Sequence, residues 1–124
     1  MWPQGSSRLR NAAKKPTMVK VIKFSVDEIL FDSGAVSDAV NKACSRNPPA
    51  KVAGMMQVGD TLMIPLEEVK EEPGLTYVIA PFPAVNEDEF AGEIKSRYYA
   101  GFSTIGVCSI GGKNWALYSC IKKQ

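Results

Sequence analysis

EDEFAGEIKSRYYAGFSTIGVCSIGGKNWALYSCIKK, residues 87–123, is the stretch that decides the fold. Asn86 stands three residues before Glu89, as an N-cap does, and Glu87, Asp88 and Glu89 place negative charge at the positive end of a helix dipole. Phe90, Ala91, Ile94 and Tyr98 recur at helical spacing and predict one apolar face. Gly101 is the expected stop, because the left-handed residue that closes a helix costs glycine least. Two apolar runs follow, Ser103 to Ile110 and Trp115 to Ile121, and Gly111-Gly112-Lys113-Asn114 between them is a hairpin turn signal.

The same order occurs earlier, from about Val36 to Glu68. Val36, Ala39, Val40, Ala43 and Cys44 make a helical stripe, and Pro48-Pro49 ends it by blocking further hydrogen bonds. Lys51 to Val58 and Thr61 to Leu66 are the two apolar runs, joined by a tight turn at Gly59-Asp60. Gly54, Val58 and Gly59 match Gly106, Ile110 and Gly111 in spacing, and Ser45-Arg46 matches Ser96-Arg97. A strand carrying Val21-Ile22 or Val78-Ile79 precedes each helix. The expected fold is therefore α+β: two βαββ units, an internal repeat over about residues 18–70 and 74–124, forming one mixed or antiparallel sheet of about six strands with two helices on one face.

Between these elements the chain reads more plainly. In Val19 to Val26 the core side is expected to be Ile22, Phe24 and Val26, and Asp27 to Gly34 is a loop whose Ile29, Leu30 and Phe31 cap one end of the core. Glu67 to Gly74 is an acidic, exposed linker. Pro81 and Pro83 require the strand from Leu75 to Phe82 to end at a sheet edge or leave the sheet, and Pro65 makes the same demand of the first hairpin. Such interruptions blunt edges and leave room for a homodimer through one unblocked edge.

Charge is unevenly placed. Six of the fifteen Lys and Arg residues fall in positions 1–26, where no acid occurs, so the remainder sets nine bases against thirteen acids, a net −4. Residues 1–17 are expected to be a disordered basic arm before a single domain at 18–124. Three readings fit the arm: a tail ahead of a domain that starts at Met18, an organelle-targeting segment, or a nucleic-acid arm in which Arg8, Arg10, Lys14 and Lys15 meet phosphates and Trp2 stacks on a base. No apolar run approaches the roughly 18 residues that span a bilayer, and no apolar signal core stands near the N-terminus. A soluble, cytoplasmic chain with no membrane partner is the expectation.

Chemistry is sparse. The chain has no His, which removes the commonest general base at neutral pH together with Ser-His and Cys-His pairs. No phosphate loop, dinucleotide fingerprint or nucleophile elbow is present. Cys44, Cys108 and Cys120 match no zinc spacing and read as free thiols, with Cys108 opposite Leu117 if the turn spans Gly111 to Asn114. No catalytic residue, metal or cofactor is expected. Tyr99 and Trp115 do not fit the main apolar faces and, with Arg97 and Lys95, are the candidate surface for a ligand or an acidic partner.

The helix end Tyr99-Ala100-Gly101-Phe102, the strand Ser103 to Ile110 and the closing Lys122-Lys123 resemble small bacterial βαββ domains of unknown function. In those a Gly-x-x-Gly-Trp turn links helix to strand, and a basic residue closes the last strand. Here Phe102 stands at the Trp position and the first Gly is missing. The resemblance covers about 40 residues and implies a small sheet carrying helices, with a dimer-like pairing of units; it implies no activity. Composition and motifs together favour a non-enzymatic domain that binds a protein or small ligand, with nucleic-acid association through the arm as the alternative.

Overall fold

The computed structural model describes residues 19–122. β1 (Val19–Ser25) leads into α1 (Val26–Phe31) and α2 (Ser33–Cys44), followed by β2 (Ala50–Val52), β3 (Met56–Val58) and β4 (Thr61–Glu68). β5 (Leu75–Pro81), α3 (Glu87–Tyr99), β6 (Ser103–Ile110) and β7 (Lys113–Ile121) complete the described chain. The class is α+β as expected, but the strands form two antiparallel sheets rather than one sheet of six. One has the order β1-β4-β2 with β3 also on β4, and the other has the order β5-β7-β6. In each sheet the opening strand lies beside the closing one.

Local chemistry accounts for the extra elements. The segment expected to be a loop at Asp27 to Gly34 is helical because Ser25 and Glu28 form a capping box: the Glu28 N–H donates to Ser25 Oγ at 3.3 Å, and the Ser25 N–H donates to Glu28 Oε2 at 2.9 Å. Asp32 then caps α2, accepting from the Ala35 N–H at 3.1 Å. Ile29 is buried as a core cap, whereas Phe31 points into solvent. The expected run Lys51 to Val58 is split into β2 and β3. The Ala53 N–H donates to the Pro65 carbonyl at 2.8 Å, but Pro65 has no N–H to return the bond, and the ladder breaks between Val52 and Met56.

The main core lies between the sheets. Leu62, Ile64 and Leu66 of β4 pack with Ile22 and Phe24 of β1, Val36, Val40 and Cys44 of α2, and Tyr77, Ile79, Trp115 and Leu117 of the second sheet. On the other face of that sheet, Phe82, Ala84, Ala116 and Tyr118 form a smaller cluster with Phe90 and Phe102. Adjacent residues of β7 therefore enter different clusters, as the two-residue period of a strand requires.

The sheets stay separate because a helix, not a strand, occupies the edge of β5. Asn41 Nδ2 donates to the Tyr77 carbonyl at 2.9 Å, and Asn41 Oδ1 accepts from the Tyr77 N–H at 2.7 Å. Ser37 Oγ accepts from the Ile79 N–H at 2.9 Å and donates to the Ser33 carbonyl at 3.0 Å. Two residues on, Pro81 has no donor to satisfy. The Tyr77 hydroxyl reaches back to the first sheet and accepts from the Val52 N–H at 3.1 Å.

Replacing Asn41 with Leu removes both bonds to Tyr77 and leaves a half-buried strand edge unpaired, so the chain should lose about 2–3 kcal/mol. Tyr77→Phe, which orphans only the Val52 N–H, should cost about 1–2 kcal/mol. Urea midpoints should fall in that order with an unchanged slope.

Candidate functional site

α3 is the element least used by the fold, since none of its residues is buried. It starts as the sequence indicates: the Glu89 N–H donates to Asn86 Oδ1 at 2.9 Å, and the Val85 N–H donates to Glu89 Oε1 at 2.9 Å. It stops at Gly101, whose φ is +100°. The side turned to the sheet carries Phe90, Glu93 and Arg97, each half-buried. Phe90 lies 4.9 Å from the Phe82 ring centre, and the Arg97 guanidinium sits 5.1 Å from that of Tyr118. Arg97 Nε donates to Glu93 Oε2 at 2.6 Å, which raises the Arg97 pKa and holds the side chain charged.

That orientation corrects the expected apolar face of Phe90, Ala91, Ile94 and Tyr98. Phe90 turns inward, while Ala91, Ile94 and Tyr98 are left on an exposed flank. The Arg97 guanidinium over Tyr118 occupies part of the inner side, so the face turned to the sheet is offset from the apolar stripe. Tyr98 and Tyr99 are 65% and 84% exposed and meet edge to face, with ring centres 5.9 Å apart. Val85, also exposed, extends the strip past the helix start, where Val85, Asn86, Glu87 and Phe90 line an open cleft.

The four residues singled out from sequence are not brought together. Tyr99 and Lys95 are exposed on α3, Arg97 is tied to Glu93, and Trp115 is only 7% exposed in the core on the opposite face of the sheet. Trp115 shares that face with Leu117, two residues on, and Lys113 Nζ covers its ring at 5.6 Å from the centre. The exposed residues that sequence reading missed are Ile94 and Tyr98, assigned there to the core, and Phe31, expected to cap it; Val19 and Val21 are exposed on the side of β1 away from its core face, as expected. Trp2, Arg8, Arg10, Lys14 and Lys15 lie outside the described residues, as does Lys123.

No reactive constellation emerges in the described part of the chain. Among those residues no group of three or more His, Cys, Asp or Glu side chains is placed to hold a metal ion. Nor is any described helix long and apolar enough to cross a membrane. Gly111 and Gly112, with φ of +60° and +78°, make a two-residue turn, so Cys108 lies opposite Trp115 rather than Leu117. All three thiols are free. Burial pushes the Cys44 thiol up to about 11 and also raises that of Cys108, which is the reverse of what a thiolate nucleophile needs. A cleft beside the first two helices, lined by Phe24, Glu28, Phe31, Asp32 and Val36, is open to solvent and apolar. No family model, characterised protein or solved structure matches the chain.

The raised thiol has a signed consequence. An unfolded Cys loses its proton near 9.0 and folded Cys44 near 11, so above pH 9 the unfolded state ionises first and stability should fall as pH rises towards 11. Tyr77 and Tyr118, both raised by burial, should add to the loss at the alkaline end. Urea titrations at pH 8 and above pH 10 should show this, and Cys44→Ala should remove part of the slope. In thiol labelling at pH 8, Cys44 should react only after unfolding.

Proposed function

We propose that this chain is a non-enzymatic interaction domain that docks another protein on the exposed flank of α3. The observation that carries this reading is that Ala91, Ile94 and Tyr98, three members of one helical stripe, are exposed beside Tyr99. A helix normally buries such a stripe. From Glu87 to Tyr98 the strip runs roughly 16 Å at a rise of 1.5 Å per residue, long enough for about three turns of a partner helix or a short extended segment. Its ends differ in charge: Glu87 and Asp88 stand at one end, and Lys95 borders the other half. The partner chemistry that fits is an amphipathic protein segment, basic towards Glu87 and acidic towards Lys95. A small-molecule site fits less well, because the adjoining cleft at Val85, Asn86, Glu87 and Phe90 is open rather than enclosed.

The test is site-specific photo-crosslinking in the native cell, with the probe at Lys95 and a control probe at exposed Glu71. A discrete partner should be captured from Lys95 only. Capture should weaken roughly tenfold or more in Ile94→Glu and in Tyr98→Ala, as expected for central contacts worth over 1 kcal/mol each. Equal capture from both probes, or capture unaffected by these changes in chains that keep their fold, would sink the proposal.

A second reading, nucleic-acid association through the basic arm, is favoured by the exposure of Lys20 and Lys23, which continue the basic series into β1. Binding to duplex DNA or RNA should then weaken steeply with salt and vanish in a chain begun at Met18. Retention by the shorter chain would exclude the arm.

A further inference from the structure

We propose that the open edge of β1 is a self-association surface, at which two copies of the chain pair their β1 strands antiparallel about Val21. The proposal does not rest on the α3 reading, since it uses a different element.

Which groups of β1 face outward follows from the ladder. The Val26 N–H donates to the Asp60 carbonyl at 3.0 Å, so in the antiparallel alternation Phe24, Ile22 and Lys20 also turn their backbone groups to β4. Val19, Val21, Lys23 and Ser25 turn theirs away. Pro65 agrees, because it lies opposite Val21 and has no N–H, and a pair directed away from the β1–β4 ladder is where proline is tolerated. Ser25 is satisfied by the Glu28 carboxylate. Among the described residues, no hydrogen-bond partner meets the outward groups of Val19, Val21 and Lys23.

The other described sheet edges are sealed, irregular or short. β5 is sealed by Asn41 and Ser37. β6 carries a register shift between Thr104 and Gly106, with the backbone of Met55 against Gly106. β2 and β3 are three residues each. Among the described edge strands, β1 alone combines seven residues in unbroken register with an outer edge that no side chain seals, the kind of edge that templates pairing.

Charge sets the direction. β1 carries Lys20 and Lys23 and leads into Asp27 and Glu28, with Asp60 beside the same end. An antiparallel neighbour keeps the lysines of the two copies apart, whereas a parallel neighbour in register lays like charge on like. Centring the pair on Val21 sets the two Val21 residues opposite each other, Val19 opposite Lys23 and Lys20 opposite Ile22, so no lysines face each other. It matches all three outward positions for six backbone hydrogen bonds. It also covers Val19 and Val21, now 62% and 49% exposed. The contact is isologous and closes as a dimer.

Light scattering coupled to size exclusion on the full chain should give twice the chain mass. Val21→Pro removes an outward N–H while sparing the β4 ladder, and should halve that mass with the far-ultraviolet spectrum unchanged. Val21→Lys and Val21→Glu should each be monomeric, because the two-fold sets like charges opposite, and an equimolar mixture of the two should recover the doubled mass. This pair carries the test if the proline variant unfolds, since the Val21 side chain is exposed. A native chain that stays monomeric at hundreds of micromolar, a folded Val21→Pro dimer, or a mixture that stays monomeric would each overturn the proposal.

Discussion

The pair of hydrogen bonds between the Asn41 side chain and the backbone of Tyr77 is the constraint on which the rest of the fold depends. A strand at a sheet edge exposes donors and acceptors that cost free energy if buried unpaired. β5 is such a strand, and it is pressed into the core by Tyr77 and Ile79, so its edge groups need partners. A side-chain amide can imitate the donor and acceptor of a neighbouring strand, and Asn41 does so from the surface of a helix. Ser37, one turn earlier, serves the next outward residue, Ile79. The polar flank of α2 thus acts as the missing strand, and the apolar stripe beside it fills the space between the two sheets.

This seam also explains why the helices have different fates. α2 is held on two sides, by the first sheet and by β5, and buries Val36, Val40 and Cys44. α3 has only the outer face of the second sheet. It meets that face with Phe90 and with an Arg97–Glu93 pair lying over Tyr118, a contact more polar than the one α2 makes. The residue following each inward position is Ser37 or Asn41 in α2 and Ala91, Ile94 or Tyr98 in α3. On α2 that flank is polar and occupied by β5; on α3 it is apolar and open.

Much of the local structure could be read from the sequence. Asn86 as a cap, Gly101 as a stop, the glycine hairpins and the core side of β1 all rest on interactions between near neighbours, and these determine the backbone directly. The Ser25–Glu28 capping box is equally local and legible in the spacing of Ser25 and Glu28, although the apolar Ile29, Leu30 and Phe31 beside it signal burial rather than a helix. What the sequence could not supply was long-range. Whether Pro65 blunts an edge or splits the strand opposite depends on which neighbour lies on its donor side. Assigning Trp115 to a surface ignored that both faces of β7 are covered, so strand alternation leaves no exposed side.

The misplaced α3 face is the most instructive of these cases, because its periodicity was right and its rotation was not. A stripe of four apolar positions fixes an axis of amphipathicity but not which edge of it meets the sheet. Arg97 over Tyr118, with Glu93 holding the guanidinium, adds a polar contact that a hydrophobic count scores as solvent-facing. The burial that Ile94 and Tyr98 would have gained is forgone within the monomer, since the Tyr118 ring has one face to offer and the guanidinium lies on it. Apolar surface left over by such competition is surface that contact with another molecule can cover.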